Sequence, residues 1–367
     1  MLVSVWIIAV AIALRQVDRW WFSPARGVGR SQPLGSLQAV MALQRSRANN
    51  RTPVLLLVGH WLEIVGWWVV AADVGPVGWI IAALAVAVKF RHLQEVSHFA
   101  VHGVLTRNGS VGNMLTELAV HVPLGFAAVP VRREKHIRQH HPNATIAGVD
   151  PNLAELYRAG MHSGCSSLRF SLVVIYPLTP VGLADTCRSL ASNVRPRGVS
   201  WWRLLAFVAI PIAAATLLGW PVAVFGVLLP RLLIYPQLAW MSLLVEHRWF
   251  DAEPAGGRPA AVEAARCLRL YPRNPVLALL ARGTWLPYGD LFHYAHSVHP
   301  AVRWNYLPTL ERVIGTPIYT PEALLIGCSA VVAHHYRALT AAEDVHPGEK
   351  LIDQTLLQKQ PNSACLP

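Results

Sequence analysis

Two apolar stretches separated by a short turn decide the fold: PVLLLVGHWLEIVGWWVVAA at 53–72 and VGWIIAALAVAVKF at 77–90. The first has about the 20 apolar residues that a helix needs to cross a bilayer. The second is shorter, and we expect its helix to continue into residues 91–104. The connection Asp73-Val-Gly-Pro76 allows only a tight turn, so the two stretches predict a transmembrane helical hairpin.

A second pair of apolar stretches repeats this arrangement at 204–219 and 222–245, around the turn Gly219-Trp-Pro. Each stretch approaches the length of a membrane span. We therefore predict an all-α integral membrane protein with four transmembrane helices in two hairpins. A cytoplasmic helical cap would carry the histidine-rich segments described below.

The composition agrees with a membrane protein. Of the 367 residues, 53% are hydrophobic and 14% are charged, and the mean hydropathy is +0.36. Soluble domains carry roughly 25% charged residues, which argues against an ordinary soluble protein. Disordered chains are polar and poor in aromatic residues, so the 14 Trp argue against that class as well.

The net charge of +12 comes mainly from arginine in the segments between the apolar stretches. In a soluble domain such an excess would suggest nucleic-acid binding. Between membrane spans it indicates the cytoplasmic side, so we expect membrane lipids and no nucleic acid as partners. Residues 1–52 are predicted to be an N-terminal cytoplasmic or interfacial segment, 53–340 the membrane domain, and 341–367 a polar tail.

Histidines are abundant, with 16 in the chain, and most lie where the predicted spans meet the cytoplasm. In RHLQEVSHFAVHG at 91–103, His98 and His102 are four residues apart and share a helix face. Glu95, one turn earlier, is placed to orient His98 as an outer partner of a metal ligand. His92 falls off that face and is the weaker candidate.

Three further segments extend the pattern. In EKHIRQHHPNAT, His136 and His140 are predicted to share a face, with His141 pointing elsewhere toward a second metal; Asn143 and Asp150 follow as candidate outer partners. Glu246-His247 closes the fourth stretch, with Glu246 a further outer partner. The third segment, HYAHSVHP at 293–300, adds three candidate ligands, His293, His296 and His299.

Eight or more imidazoles exceed what one ion binds, which predicts two metal ions. Imidazole suits iron, copper, zinc and nickel alike, so ligand type does not select the metal. Two metals beside a hydrocarbon phase suit O2-dependent attack on a C–H bond. Hydrolysis would more usually recruit carboxylates or an HExxH helix, and the sequence contains no HExxH.

The order HxxxH, HxxxHH and HxxH, followed by Leu307-Pro308, resembles the histidine boxes of the membrane fatty acid desaturase superfamily. His98-Phe-Ala-Val-His102-Gly is similar to the first box of bacterial carotenoid ketolases in that superfamily. Glu246-His247 resembles the isolated ligand box of membrane alkane hydroxylases. The resemblance covers roughly residues 50–310.

This resemblance implies a membrane-bound oxidoreductase with two non-haem iron ions, O2 as co-substrate and external electrons from a ferredoxin- or cytochrome-type donor. Its substrate would be an acyl chain, either free or bound to CoA, a carrier protein or a lipid. The implied location is a bacterial cell membrane, crossed several times, with the boxes on the cytoplasmic side. The implied iron ligands are His98, His102, His136, His140, His141, His247, His293, His296 and His299.

The third box departs from the usual HxxHH. Counting back from Leu307-Pro308 places Ser297 where the family has its last histidine. Either His299, one helical turn past His296, or a water molecule would then complete the coordination.

Several functions remain open at this level. Desaturation and hydroxylation use the same ligands and differ in how the substrate is placed, so the ligands do not separate them. A non-catalytic membrane metal-binding protein would explain the histidines without a substrate. A protein that only binds anionic lipids would explain the arginines but not the paired histidine spacing.

Overall fold

A computed structural model describes residues 2–21, 51–194, 201–252, 256–327 and 329–345. Within these ranges the regular structure is helical, apart from two isolated β-bridges, His247 with Cys267 and Leu268 with Tyr319. The helices are α1 (Leu2–Trp21), α2 (Thr52–Asp73), α3 (Pro76–Val101), α4 (Gly109–Leu124), α5 (Val129–Asn143), α6 (Pro151–Ala159), α7 (Ser167–Val174), α8 (Pro180–Val194), α9 (Trp202–Leu218), α10 (Val222–Leu244), α11 (Pro259–Arg266), α12 (Pro275–Gly283), α13 (His293–Val298), α14 (Leu307–Ile314) and α15 (Val331–Val345).

Three of these helices, α2, α3 and α10, are long and apolar enough to cross a membrane. The prediction that the helix starting near residue 77 continues past residue 90 is confirmed, because α3 is unbroken over 26 residues. Proline opens both α2 and α3, where its missing N–H costs nothing. Gly75 precedes α3 with φ of 75°, a conformation that glycine adopts without strain.

The predicted span at 204–219 forms the helix α9, which has 17 residues and is shorter than the other three. A further candidate is the pair α4 and α5, which bend by 94° and together form one broken span or a re-entrant loop. The bend follows Gly125, whose φ is 73°. A Cβ there would lie 2.6 Å from the Phe207 ring of α9, so the bend depends on glycine.

The N-terminal helix α1 packs along α2. Two glycines of α2 allow this close contact, because a Cβ at Gly59 would lie 2.8 Å from the Ala11 carbonyl oxygen and one at Gly66 would lie 2.6 Å from Ile8. Helix α1 ends at Trp21. Residues 22–50 of the predicted N-terminal segment lie outside the described residues, as do residues 346–367 of the tail.

The largest hydrophobic cluster joins the spans to the segments that carry the last histidines. Phe90, Leu93 and Phe99 of α3 are buried in it with Leu286 and Trp304. Burial of each such side chain contributes about 1.5–3 kcal/mol. This packing fixes α13 against the end of α3, where His98 and His102 lie.

Candidate metal centre

Five histidines form the first group of possible ligands, and one nitrogen of each lies within 4.8 Å of the others: His98, His102, His136, His141 and His296. The Nε2 atoms of His98 and His102 are 3.0 Å apart, as their i,i+4 spacing on α3 predicts. The Nε2 atom of His136 lies 3.1 Å from those of His102 and His141. Three separate helices therefore direct imidazole nitrogens at one point.

The second segment is arranged differently from its sequence prediction. Residues Glu134–His140 form a π-helical turn, in which the His141 N–H donates to the His136 carbonyl. In this geometry residues five apart align, so His136 and His141 share a face. The expectation that His136 pairs with His140, leaving His141 for a second metal, is therefore wrong; His140 points to the second group.

That second group contains His140, Glu246, His247 and His293. The Nε2 atoms of His247 and His293 are 3.1 Å apart. Glu246 was predicted as an outer partner, whereas its carboxylate lies within 4.8 Å of the ligand atoms of all three histidines. The two groups adjoin, because the ring centroids of His293 and His296 on the short α13 are 5.9 Å apart.

Two carboxylates bind the Nδ1 atoms of His98 and His140, on the side of each ring that faces away from the ligand group. The Nδ1 atom of His98 lies 3.0 Å from Oε1 of Glu95, and Nδ1 of His140 lies 2.9 Å from Oδ1 of Asp150. Donation from Nδ1 leaves the Nε2 lone pair directed into each group. Glu95 and Asp150 are thus positioned as the sequence predicts.

Electrostatics favour the neutral, metal-binding form of these rings. Burial, with neighbouring imidazoles, lowers the pKa of His247, His293 and His296 well below the usual range. Burial, together with the nearby carboxylates of Asp290 and Glu95, raises the pKa of Glu246 well above its usual range. A bound cation would offset the cost of holding the Glu246 carboxylate ionised there.

The residues fit two metal ions. With metal–nitrogen distances of about 2.1 Å, ligands at right angles lie about 3 Å apart, close to the observed Nε2 separations. Nε2 of His140 and both ring nitrogens of His296 are buried without a protein partner. Such atoms are costly to bury unsatisfied, and metal coordination would satisfy one on each ring.

Some predicted residues lie elsewhere. His299 is partly exposed and belongs to neither group. Ser297 is buried beside Cys267. His92 lies 3.0 Å from the Gly283 carbonyl oxygen, and Asn143 donates to the Gln139 carbonyl.

Sequence reasoning missed the polar residues that support Glu95. Arg91 donates to Glu95 and to Asp290, at 3.1 and 2.5 Å, and also to Ser242 at 2.8 Å. The i,i+4 spacing of Arg91 and Glu95 was a usable signal. No local spacing indicates Asp290 as a partner of Arg91, because the two residues are brought together only by the tertiary fold.

A cavity of about 210 Å³ adjoins the centre. His98, His136 and Glu246 line it, so the first and second groups both contribute to its wall. Apolar residues such as Leu124, Phe126 and Leu243 line it as well. The candidate metal centre is therefore reached from a mixed apolar and polar pocket.

A family model described as "Fatty acid desaturase" matches residues 75–321. The match covers more than half of the chain and includes every residue of both ligand groups. A search of curated proteins finds no match. The family match agrees with the histidine spacing, with the apolar helices and with the two ligand groups, and the chain therefore belongs to the fatty acid desaturase family.

Proposed function

We propose that this protein is a membrane-bound di-iron oxidoreductase that uses O2 to desaturate an acyl chain. Hydroxylation by the same centre is the alternative within the family. The observation that carries the proposal is the pair of adjoining ligand groups beside a cavity. Family membership supports iron as the metal and an acyl chain as the substrate.

The ligand assignment follows the two groups. His98, His102, His136, His141 and His296 would hold one iron, and His140, His247, His293 and Glu246 the other. Glu246 would supply a ligand where Ser297 interrupts the third box. When bound, the irons would activate O2 for oxidation of a C–H bond of the chain.

The protein's own residues would orient the ligands and place the substrate. Glu95 and Asp150 fix the tautomers of His98 and His140, and Arg91 holds Glu95 in place. Leu124, Phe126 and Leu243 would contact the methylene groups of the chain, since apolar contacts suit a hydrocarbon. Where the chain rests against these residues would decide which carbon is oxidised.

The positive charge of the protein suggests what kind of electron donor it uses. The arginine-rich segments on either side of the spans would face the cytoplasm by the positive-inside bias. A basic surface attracts an acidic carrier over a distance of several ångströms at physiological salt. An acidic ferredoxin- or cytochrome-type protein fits this role, and its electrons would reach the centre from the cytoplasmic side.

The test uses the full chain purified in detergent and loaded with iron. Iron per chain is measured first, and the protein is then given O2, a chemical reductant and acyl substrates. A product two hydrogens lighter indicates desaturation, and one heavier by an oxygen atom indicates hydroxylation. His136→Ala should lose product and iron, whereas His162→Ala should keep both, because the His162 ring lies against the neighbouring Ser163 carbonyl and belongs to neither ligand group.

The competing function, a metal-binding membrane protein without catalysis, predicts a different result. It would bind iron through the same histidines and form no product with any acyl substrate. Fewer than two irons per chain after careful loading, or full activity in His136→Ala, would refute the di-iron proposal.

A further inference from the structure

Arg231 lies near the middle of the span α10, as the tenth of its 23 residues, and it is buried. One nitrogen, Nη2, donates to the Pro123 carbonyl, and the guanidinium lies 4.4 Å from the centre of the Phe207 ring. The Nε and Nη1 atoms are buried without a partner. Among the described ion pairs within 4.0 Å, Arg231 takes part in none, so its charge is not balanced by a nearby carboxylate.

Arg231 lines the same cavity as the candidate metal centre. One face of α10 forms that wall, through Arg231, Tyr235, Ala239 and Leu243, and Glu246 follows directly beyond the helix end. At 1.5 Å per residue, fifteen residues separate Arg231 from Glu246 by roughly 20 Å. The cavity is therefore long, with Arg231 at one end and the candidate ligands at the other, and it is also lined by Arg91, Arg132, Lys135 and Arg158.

Another part of the cavity wall is polar. Helix α8 presents Asp185, Ser189 and Asn193 to the cavity, at the i,i+4 spacing of one helix face, and the Asp185 carboxylate is bound by the Tyr176 hydroxyl and by Arg188. Leu190 of this helix and Phe207 both lie within 3 Å of the position a Cβ would take at Gly125. Because Phe207 also covers the Arg231 guanidinium, α8 is placed beside Arg231.

A binding site that contacts only hydrocarbon would not need Arg231 or the polar side chains of α8. We propose that Arg231 binds the carboxylate of a free acyl acid, whose chain extends along α10 toward the histidines. The inference rests on the proposed function, which supplies the oxidation at the other end. A guanidinium offers two carboxylate oxygens a fork either through Nε–H and Nη2–H or through Nη1–H and Nη2–H. Nε and Nη1 have no partner, and Nη2 has a second hydrogen besides the one it donates to the Pro123 carbonyl.

This assignment also selects the form of the substrate. Arg231 is buried, and its guanidinium lies against the Phe207 ring and the Pro123 carbonyl. An acyl group joined to coenzyme A or to a carrier protein has no carboxylate to pair with that charge. The free acid would fit, and its ester would lose the charge that Arg231 requires.

The experiment measures binding to the metal-free full chain in detergent, so that it does not depend on catalysis. The probes are radiolabelled palmitic acid and methyl palmitate, compared in wild type, Arg231→Met, Arg231→Lys and Arg312→Met. Arg312 is exposed on α14 and serves as the control. Comparison between variants cancels the different partition of the two probes into detergent.

Wild type and Arg312→Met should bind the acid at least tenfold more tightly than the ester, and Arg231→Met should lose this preference. Arg231→Lys should keep part of it, because the charge remains. Equal binding of acid and ester by wild type would overturn the assignment, as would an unchanged preference in Arg231→Met. If Arg231→Met fails to fold, Arg231→Lys decides instead, because a preference equal to that of wild type and Arg312→Met would overturn the assignment.

The proposed function fails independently of this assignment. Acid-selective binding without any oxidised product would leave the Arg231 site standing and refute the oxidoreductase. Formation of oxidised product without preferential binding of the acid would support the oxidoreductase and refute the Arg231 site.

Discussion

Two buried polar regions include residues of α3. They differ in how their charged and polar groups are paired. Beneath α1, the Glu63 carboxylate pairs with Arg15 and, at 3.1 Å, with Lys89. In the same region, Asp18 pairs with the fully buried Arg303 at 2.5 Å. Each carboxylate here is paired directly with at least one cation.

The histidine centre has no such balance. Its imidazoles face each other through Nε2 atoms about 3 Å apart, and its carboxylates at Glu95 and Asp150 bind the rings from behind. Several imidazole nitrogens that point their lone pairs at one another are stabilised when a cation between them accepts those lone pairs. The first region is therefore held together by ion pairs, whereas the geometry of the second suits a bound metal.

The largest effect should come from removing a ligand on the histidine side. His247→Ala should lower iron content and reduce product formation by more than the 10–100-fold typical of outer partners. Iron analysis and product mass spectrometry measure both. As a control, His92→Ala removes a buried histidine that belongs to neither group and should keep the iron. Loss of iron in His92→Ala would show that iron binding is not confined to the two ligand groups.

Breaking the ionic region should act on stability instead. Asp18→Asn leaves Arg303 buried beside a neutral side chain, and removing one partner of a buried pair costs about 3–5 kcal/mol. Thermal unfolding in detergent, followed by tryptophan fluorescence, measures the loss. Iron per folded chain should stay unchanged, and a parallel drop in iron would show that the two regions are one unit.

A smaller change is expected at the outer partner of His140. Asp150→Asn keeps an oxygen that can cap α6 but removes the charge that holds the His140 Nδ1–H. Metal affinity should fall by about 10–100-fold, measured by competition with a chelator. An affinity equal to that of wild type would mean that Asp150 serves only the helix cap.

The smallest effect should follow loss of a surface pair. Glu134 and Arg138 are 3.0 Å apart and largely exposed, on the same short helix as His136. Exposed pairs contribute about 0–1 kcal/mol, so Glu134→Gln should leave unfolding and iron content nearly unchanged. A marked loss of iron would instead assign Glu134 a part in shaping the π-helical turn.

The sequence predicted much of the local structure because local spacing determines it. The helix continuing from residue 77 beyond residue 90, and the convergence of His98 and His102, follow from apolar length and i,i+4 geometry. The family, too, was readable from the order of the histidine segments, and the family match confirms it.

Other features depended on backbone detail that a regular helix does not anticipate. The π-helical turn at Glu134–His140 reversed the roles of His140 and His141, because it aligns residues five apart. The bend after Gly125 depends on a packing contact with Phe207 that lies far away in sequence. Neither is encoded in the spacing of apolar residues.

The sequence by itself determined which side chains are available, and on which helices, since hydrophobic length and periodicity act over a few turns. Only the tertiary structure decided which of them meet. It divided the histidines into two groups, drew Glu246 into one of them, left His299 outside both, and placed Arg231 on the wall of their cavity. Those contacts join residues far apart in the chain, and they form because packing of the helices fixes distances that no local pattern specifies.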